Sequence, residues 1–454
     1  MANAFLKPIE NLVARQVRCN CKKTHRTGLK RVVIEPDAIC RLPQLLSDYR
    51  EQNIFLVSDR NTQLAAGDKV LTVLGAMGFH IRAFIFETDV HPSKADLGKL
   101  MLEAPENVDA LVAVGSGALQ DLMKYYSLRA GIPLISIPTA ASTDGYAMPF
   151  SCFFENGKKR TFMSAVPVMI IVDLGVIASA PKQMAPAGAA AVLSKHISLF
   201  DWRLSKIVDE TPYCTDLAKA MLHYIQNFTD SLSGSRPLYS MATLEALMRA
   251  LLFAGLLVSY AESVYPVAGS ETLISDCVFM TGMYDREEIE SEQFIKAVAT
   301  ANCARITESI IAARPDFDMA KSLLEDYGWV MHNNEIMRIY KDDAPEVLSR
   351  SGGFARYNKE LHLRRLFYLD DRWSSIVSAA RDMIPEYTAL RETLRSCVLP
   401  YRFEDLGMNR GQAQDAVIWS GELTERYNLL SLIWEVGEID SVAGALTARM
   451  RDKV

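Results

Sequence analysis

The sequence has no low-complexity tract, no marked excess of either charge and no long uncharged apolar run. Lys and Arg number 49 against 55 Asp and Glu, giving a net charge of -6 over 454 residues. A nucleic-acid binder normally carries a basic stripe or patch, so this balance argues against that class. The longest uncharged apolar stretch, Ala250 to Ala261, falls short of the roughly 20 residues a membrane-spanning helix needs. The N-terminal residues MANAFLKPIENLVARQ break their apolar positions with charge and offer no continuous signal-peptide core. These absences predict a soluble cytoplasmic protein that handles a small molecule, with neither nucleic acid nor membrane as partner.

Cysteine is thinly spread. The eight cysteines form no disulfide framework, and the sole cluster is Cys19, Cys21 and His25 in CNCKKTH. A zinc site there lacks a fourth ligand of ordinary spacing, so the plainer reading is reduced thiols in a terminal segment.

What is present is apolar patterning, at 49% hydrophobic residues, in a chain long enough for two domains. Up to about residue 180, short β-rich runs alternate with helical ones. The runs are Arg31 to Pro36, Asn53 to Asp59, Ile81 to Glu87, Ala110 to Val114, Pro133 to Pro138 and Val168 to Leu174. Such alternation predicts a parallel sheet covered by helices. Asn156 and Gly157, between the extended stretches Phe150 to Glu155 and Lys158 to Met163, predict a tight hairpin. Beyond residue 180 the spacing is helical, as in Leu238 to Tyr260, Phe294 to Ala313 and Asp415 to Val436. The expected architecture is a Rossmann-like nucleotide-binding α/β domain over 1–180 and an all-α domain over 181–454, with a ligand cleft between them.

The strand Ala110 to Val114 ends in Gly115, Ser116 and Gly117 and runs into an amphipathic helix starting near Ala118. Glycines let the backbone approach a pyrophosphate, and the unpaired amides and positive dipole end of a helix supply its donors. Gly115, Ser116, Gly117, Ala118 and Leu119 are therefore candidate cofactor residues. The next strand delivers Thr139, Ser142 and Asp144 at its carboxyl end. Asp59, at the end of another strand, is placed either to contact an adenosine ribose or to cap a helix.

Pro138 to Tyr146, PTAASTDGY, matches the PTAPSxDGY motif of the glycerol-1-phosphate dehydrogenases, which the chain resembles. That family is a branch of the metal-dependent polyol dehydrogenase and dehydroquinate synthase superfamily. The resemblance extends through GKKRT (Gly157 to Thr161), Val172 to Gly188, SKHISLFDWRLS (Ser194 to Ser205) and ERYNLLSLIWEVG (Glu425 to Gly437), over nearly the full length. It implies a dehydroquinate synthase-like fold and reversible hydride transfer between NAD(P)H and dihydroxyacetone phosphate. Thr139 and Ser142 would then lie near the nicotinamide and Asp144 on a substrate hydroxyl, with Met148 in place of a cofactor-contacting serine.

The family's metal half departs from that pattern. Its first zinc ligand is the Asp of AGxGDxLxK, where this chain has Ala191 in AGAAAVLSK. Its second is the first His of SRPxSGxEHxxSH, where Thr272 stands, while Asp276 replaces the closing, substrate-contacting His. The third ligand is a later His, yet no histidine occurs between His223 and His332. Zinc at that site is therefore not expected, and losing it would slow the inherited reaction by roughly three orders of magnitude or more. Glu271, Asp276, Glu288 and Glu292 offer oxygen donors for a magnesium-like cation, although Glu288 and Glu292 lie in an acidic run that also reads as a solvated face.

In a metal-free reductase an acid replaces the cation. Lys195 and His196 are the candidates, with His223 behind them, although His196 also fits a neutral packing histidine. The leading expectation is an NAD(P)-dependent oxidoreductase for a small phosphorylated or polyol carbonyl compound. The alternatives are a transient-redox lyase or cyclase of the dehydroquinate synthase type and an inactive nucleotide-binding relative. Arg236, Lys158 and Lys159 are anion-binding candidates, Arg60 leaves NAD and NADP both open, and apolar helices favour a homo-oligomer, dimer or larger.

Overall fold

Ten strands occur in the computed structural model, which describes residues 3–13, 15–49, 52–155, 158–232, 237–285, 292–324, 328–350 and 358–450. Strands β1 (Val17–Arg18) and β2 (Thr24–His25) form a small antiparallel pair. Then follow β3 (Arg31–Glu35), β4 (Asn53–Asp59), β5 (His80–Phe86), β6 (Ala110–Gly115) and β7 (Leu134–Pro138). Strands β8 (Phe150–Glu155) and β9 (Lys158–Met163) pair antiparallel, and β10 (Met169–Asp173) returns to the main sheet. The β8–β9 hairpin matches the sequence reading, while Asn156 and Gly157 themselves lie outside the described residues.

The main sheet is parallel, in the order β3-β10-β7-β6-β4-β5. Every residue of β6, β7 and β10 is buried, as helices on both faces require. Alternate residues feed two apolar layers. Ile54, Leu56, Val112, Val114, Ile135 and Ile171 pack on one face, with Phe55, Val57, Leu111 and Ala113 on the other. The connection from β4 leads outward to β5, whereas that from β6 leads the opposite way to β7. The carboxyl ends of β4 and β6 thus flank a topological switch point, where open α/β sheets bind their ligands.

Two compact units divide the chain. The first comprises residues 1–192 and 215–263, and the second 193–214 and 264–454. The sequence reading placed one boundary near 180, but the first unit reclaims a helical segment whose composition resembles that of the second. Its helix Met241–Ala261 spans 21 residues and is long and apolar enough by composition to cross a membrane. Within the fold 72% of its apolar window is buried, and Arg249 on it pairs with Glu245 and Glu10. The second unit is helical among its described residues.

One predicted helix is broken. In place of a single run over 415–436 the structure has Arg410–Trp419 and Leu429–Glu435. Asn428 causes the restart, since its extended backbone and side-chain oxygen receive the amides of Leu430 and Ser431.

Candidate nucleotide-binding site

The parallel register sets three strand ends abreast. Ser58 pairs with Val114, so Asp59 and Gly115 follow side by side, and Gly115 pairs with Pro138 just ahead of Thr139. The Thr139 amide donates to the Gly115 carbonyl at 3.3 Å. Helix Gly117–Ala130 begins where β6 stops, and Ser116 enters it in extended conformation without its hydroxyl accepting a helix amide. The first-turn amides of that helix therefore point out from the switch point with no capping hydroxyl from Ser116.

The glycines are sterically required. A Cβ on Gly115 would lie 2.8 Å from the Leu119 Cβ, and one on Gly117 would lie 2.9 Å from the Thr143 Cγ2. Ser116, Gly117 and Ala118 are partly exposed, whereas the Leu119 side chain is sealed in the core, so Leu119 offers a ligand only its backbone. Gln120 braces the turn from behind, donating to the Ala113 and Gly115 carbonyls at 3.0 and 3.3 Å.

Asp59 caps the helix that follows β4. Its Oδ1 accepts the Thr62 amide at 2.8 Å while its own amide donates to Thr62 Oγ1 at 3.0 Å. Thr139 is buried, and Ser142 and Asp144 are partly exposed on the loop beyond it. The Tyr146 hydroxyl lies 3.5 Å from Ser142 Oγ and donates to the Ala140 carbonyl at 2.6 Å, and burial holds its pKa above the usual range.

Several supports of this loop escaped the sequence reading. Lys124 is fully buried and pairs with Asp121 at 2.9 Å. Its ammonium also donates to the carbonyls of Gly145, Met148 and Phe150 at 2.7, 3.3 and 2.5 Å. Asp121 in turn accepts the Cys152 amide at 3.1 Å. Gly188 and Gly255 let two helices press on the same loop: a Cβ on Gly188 would collide with the Ala141 carbonyl oxygen, and one on Gly255 would lie 2.6 Å from that of Asp144. The available signal was the Asp121–Lys124 spacing of three on an otherwise apolar helix face. Of the proposed anion-binding residues, Arg236 and the Lys158 side chain lie outside the described residues.

Lys195, His196 and Asp276 belong to the second unit, and His223 to the first. Lys195 is buried, and its ammonium donates to Ser194 Oγ at 3.4 Å and the Val267 carbonyl at 3.2 Å. His196 Nδ1 lies 2.6 Å from the Met383 carbonyl, and desolvation lowers its pKa to about 4. The imidazole is therefore neutral at physiological pH, its proton on the nitrogen that faces the carbonyl.

Asp276 is partly exposed on the helix Ser270–Thr281. Glu271 and Asp201 are buried. The Glu271 Oε1 accepts the Gly269 amide and the Thr272 hydroxyl, and Asp201 accepts the amides of Ser270 and Leu429. Burial, then repulsion from Glu271, raises the Asp201 pKa to about 7.

For the metal that the resembled family holds, Ala191 offers a methyl group and the Thr272 hydroxyl is donated to Glu271. Those side chains do not supply the imidazole, thiolate or carboxylate donors of a catalytic zinc. Of the oxygen-donor set, Glu288 lies outside the described residues.

An open parallel sheet with a glycine-built turn at its switch point, joined in one chain to a helical unit, defines the dehydroquinate synthase-like class of nucleotide-binding folds. The family model described as iron-containing alcohol dehydrogenase matches residues 33–181. Among curated relatives, glycerol-1-phosphate dehydrogenase [NAD(P)+] of Halalkalibacterium halodurans is 28% identical over 281 residues, which are 60% of this chain and 69% of that protein. The Bacillus licheniformis protein of the same name is 22% identical, with 94% of each chain covered. Among solved structures, an iron-containing alcohol dehydrogenase of Corynebacterium glutamicum superposes with a TM-score of 0.60 at 15% identity, over 95% of this chain and 97% of that one. A glycerol dehydrogenase of Schizosaccharomyces pombe gives 0.56 at 16% identity, over 92% and 90%. In sequence the chain is similar to iron-containing alcohol dehydrogenases over residues 33–181 and to glycerol-1-phosphate dehydrogenases over the wider spans just given.

Proposed function

We propose that this protein is an NAD(P)-dependent oxidoreductase that interconverts a small phosphorylated or polyol carbonyl compound and its alcohol, as the named glycerol-1-phosphate dehydrogenases do, without the family zinc. The observation that carries the reading is the turn from Gly115 to Leu119 at the switch point, where two glycines let the backbone pack tightly against Leu119 and Thr143 and the helix amides have no side-chain cap from Ser116.

When bound, the nicotinamide supplies and accepts the hydride. Thr139 and Ser142 flank its place, and Asp144 holds a substrate hydroxyl, with Asp276 a second polar contact. Reduction of a carbonyl also needs a proton on the oxygen. His196 is poorly suited to give it, because its proton faces the Met383 carbonyl and its pKa is about 4. Lys195 takes that role in the reading, held by its bonds to Ser194 and Val267. A cytoplasmic setting belongs to the same reading.

The test is NADH consumption with dihydroxyacetone phosphate, run with added zinc and with a chelator, beside NADH binding by fluorescence. The expected result is binding and turnover indifferent to both additions, with turnover lost in Lys195→Met while binding persists. NADH binding without turnover on phosphorylated and polyol carbonyl compounds would overturn the oxidoreductase reading. Turnover abolished by the chelator at unchanged melting temperature and restored by zinc would overturn its zinc-free part.

A further inference from the structure

The strands β1 and β2 hold CNCKKTH as a hairpin, with Val17 opposite His25. The Cys19 amide donates to the Lys23 carbonyl at 3.1 Å and the Lys22 amide to the Cys19 carbonyl at 3.0 Å, with Lys22 in the left-handed region at φ 66°. This turn brings the Cys21 Sγ to 3.2 Å from His25 Nε2. The other ring nitrogen, Nδ1, lies 2.5 Å from the Tyr260 carbonyl. A backbone carbonyl on the second ring nitrogen is what fixes a metal-ligating histidine in the tautomer whose free lone pair faces the ion.

The ligand missing from the sequence comes from far along the chain. The hairpin docks on the first turn of the helix Thr215–Asp230 within the first unit. Asn20 Nδ2 donates to Asp216 Oδ2 at 2.7 Å, Cys19 Sγ lies 3.4 Å from the same oxygen, and Asn3 Nδ2 donates to the Asp216 carbonyl at 2.8 Å. Cys214 is peptide-bonded to Thr215, the residue at which the chain re-enters this unit, so its position follows covalently from the start of that helix. The Cys19, Cys21 and Cys214 sulfurs and a His25 ring nitrogen all lie within 4.8 Å of one another. Zinc–sulfur bonds of about 2.3 Å and zinc–nitrogen bonds of about 2.0 Å set tetrahedral edges of roughly 3.5–3.8 Å, so a modest contraction closes the site.

We propose that Cys19, Cys21, His25 and Cys214 form a structural zinc site. Three thiolates and one imidazole suit this borderline-soft ion, and four protein donors leave no open position for a substrate or a water. His25 and Cys214 are buried, at 4% and 5% exposure, and the His25 ring packs edge-on to Phe5 at 5.4 Å. The ion ties the N-terminal hairpin to the residue that leads into the helix Thr215–Asp230 and carries no step of the hydride chemistry. The assignment does not depend on the oxidoreductase reading.

The decisive measurement is zinc content of the full chain by mass spectrometry, with release of the metal by a mercurial thiol reagent. Wild type and Cys40→Ser, whose exposed thiol lies outside the cluster, are expected to carry about one zinc per chain. Cys21→Ser and Cys214→Ser are expected to retain less than a tenth of it. Should those variants fail to fold, wild type produced with cobalt(II) in place of zinc still decides, because only cysteine ligands give an intense thiolate-to-cobalt charge-transfer band. Zinc retained by both variants, metal-free folded wild type without that band under cobalt, or a Cys19–Cys21 disulfide in the native protein would each overturn the assignment.

Discussion

The ammonium of Lys124 donates to the carbonyl of Gly145 at 2.7 Å, joining the helix behind the Gly115–Gly117 turn to the loop that carries Asp144. With Asp121 and two further carbonyls on the same nitrogen, this buried cation fixes the loop from beneath. Replacing it strands a carboxylate and three carbonyls. Lys124→Met is therefore expected to lose about 3–5 kcal/mol of unfolding free energy in urea melts. A loss under 1 kcal/mol would show that the loop is held by other contacts.

Gly117 separates helix amides from Thr143 by less than a methyl group needs. Gly117→Ala should push the turn and the Thr143 loop apart and weaken NADH binding about tenfold or more, an energy of roughly 1.4 kcal/mol. Fluorescence titration at constant circular dichroism checks it. Equal affinity in the variant would place the pyrophosphate elsewhere.

On the other side of the same loop, Gly255 faces the Asp144 carbonyl at the distance where a Cβ would sit 2.6 Å away, with Ala147 also within 3.1 Å. Gly255→Ala removes a helix-weakening glycine but overpacks the contact, and the second effect should prevail by about 1–3 kcal/mol. A raised melting temperature would refute that ordering.

Asp201 gives stability a pH dependence of unusual sign for a carboxylate. Its pKa rises from 3.8 to about 7 on folding, so between those values the folded state holds a proton that the unfolded state has released. The contribution of this group to stability is greatest below about pH 4 and is lost as pH rises towards 7, on the order of 4 kcal/mol in all, with Glu271 shifted in the same direction. Asp201→Asn should lower stability overall, because the Ser270 and Leu429 amides bind separate carboxyl oxygens and one of them would face the NH2 group, yet flatten the slope between pH 5 and 7. Urea melts across that range decide it, and parallel slopes for the two proteins would assign the dependence to other groups.

Much of the first unit was legible because its strands are local signals. Apolar runs such as Asn53 to Asp59 coincide with their strands, and Gly115 to Gly117 announce the turn that follows one. The supports of the turn were not legible, since their meaning depends on partners distant in sequence. Lys124 reads as a solvent-facing lysine until the carbonyls of Gly145, Met148 and Phe150 close over it. Gly188 and Gly255 read as helix glycines until the loop they admit is known, and Cys214 as an isolated thiol until Asp216 binds Asn20. The break before Asn428 escaped because the apolar spacing continues across it, while the Asn428 side-chain cap starts a new helix.

The division of the first unit into residues 1–192 and 215–263 has a consequence for synthesis on the ribosome. All six sheet strands have been made once Asp173 has emerged, but the helix bearing Gly255 is complete only at Ala261. In the interval the loop of Asp144 lacks one wall, and Ala147, which the helix of Gly255 packs against, is still uncovered. Protection of that loop by a chaperone is thus expected to peak at nascent lengths between those two residues, before most of the helical unit exists.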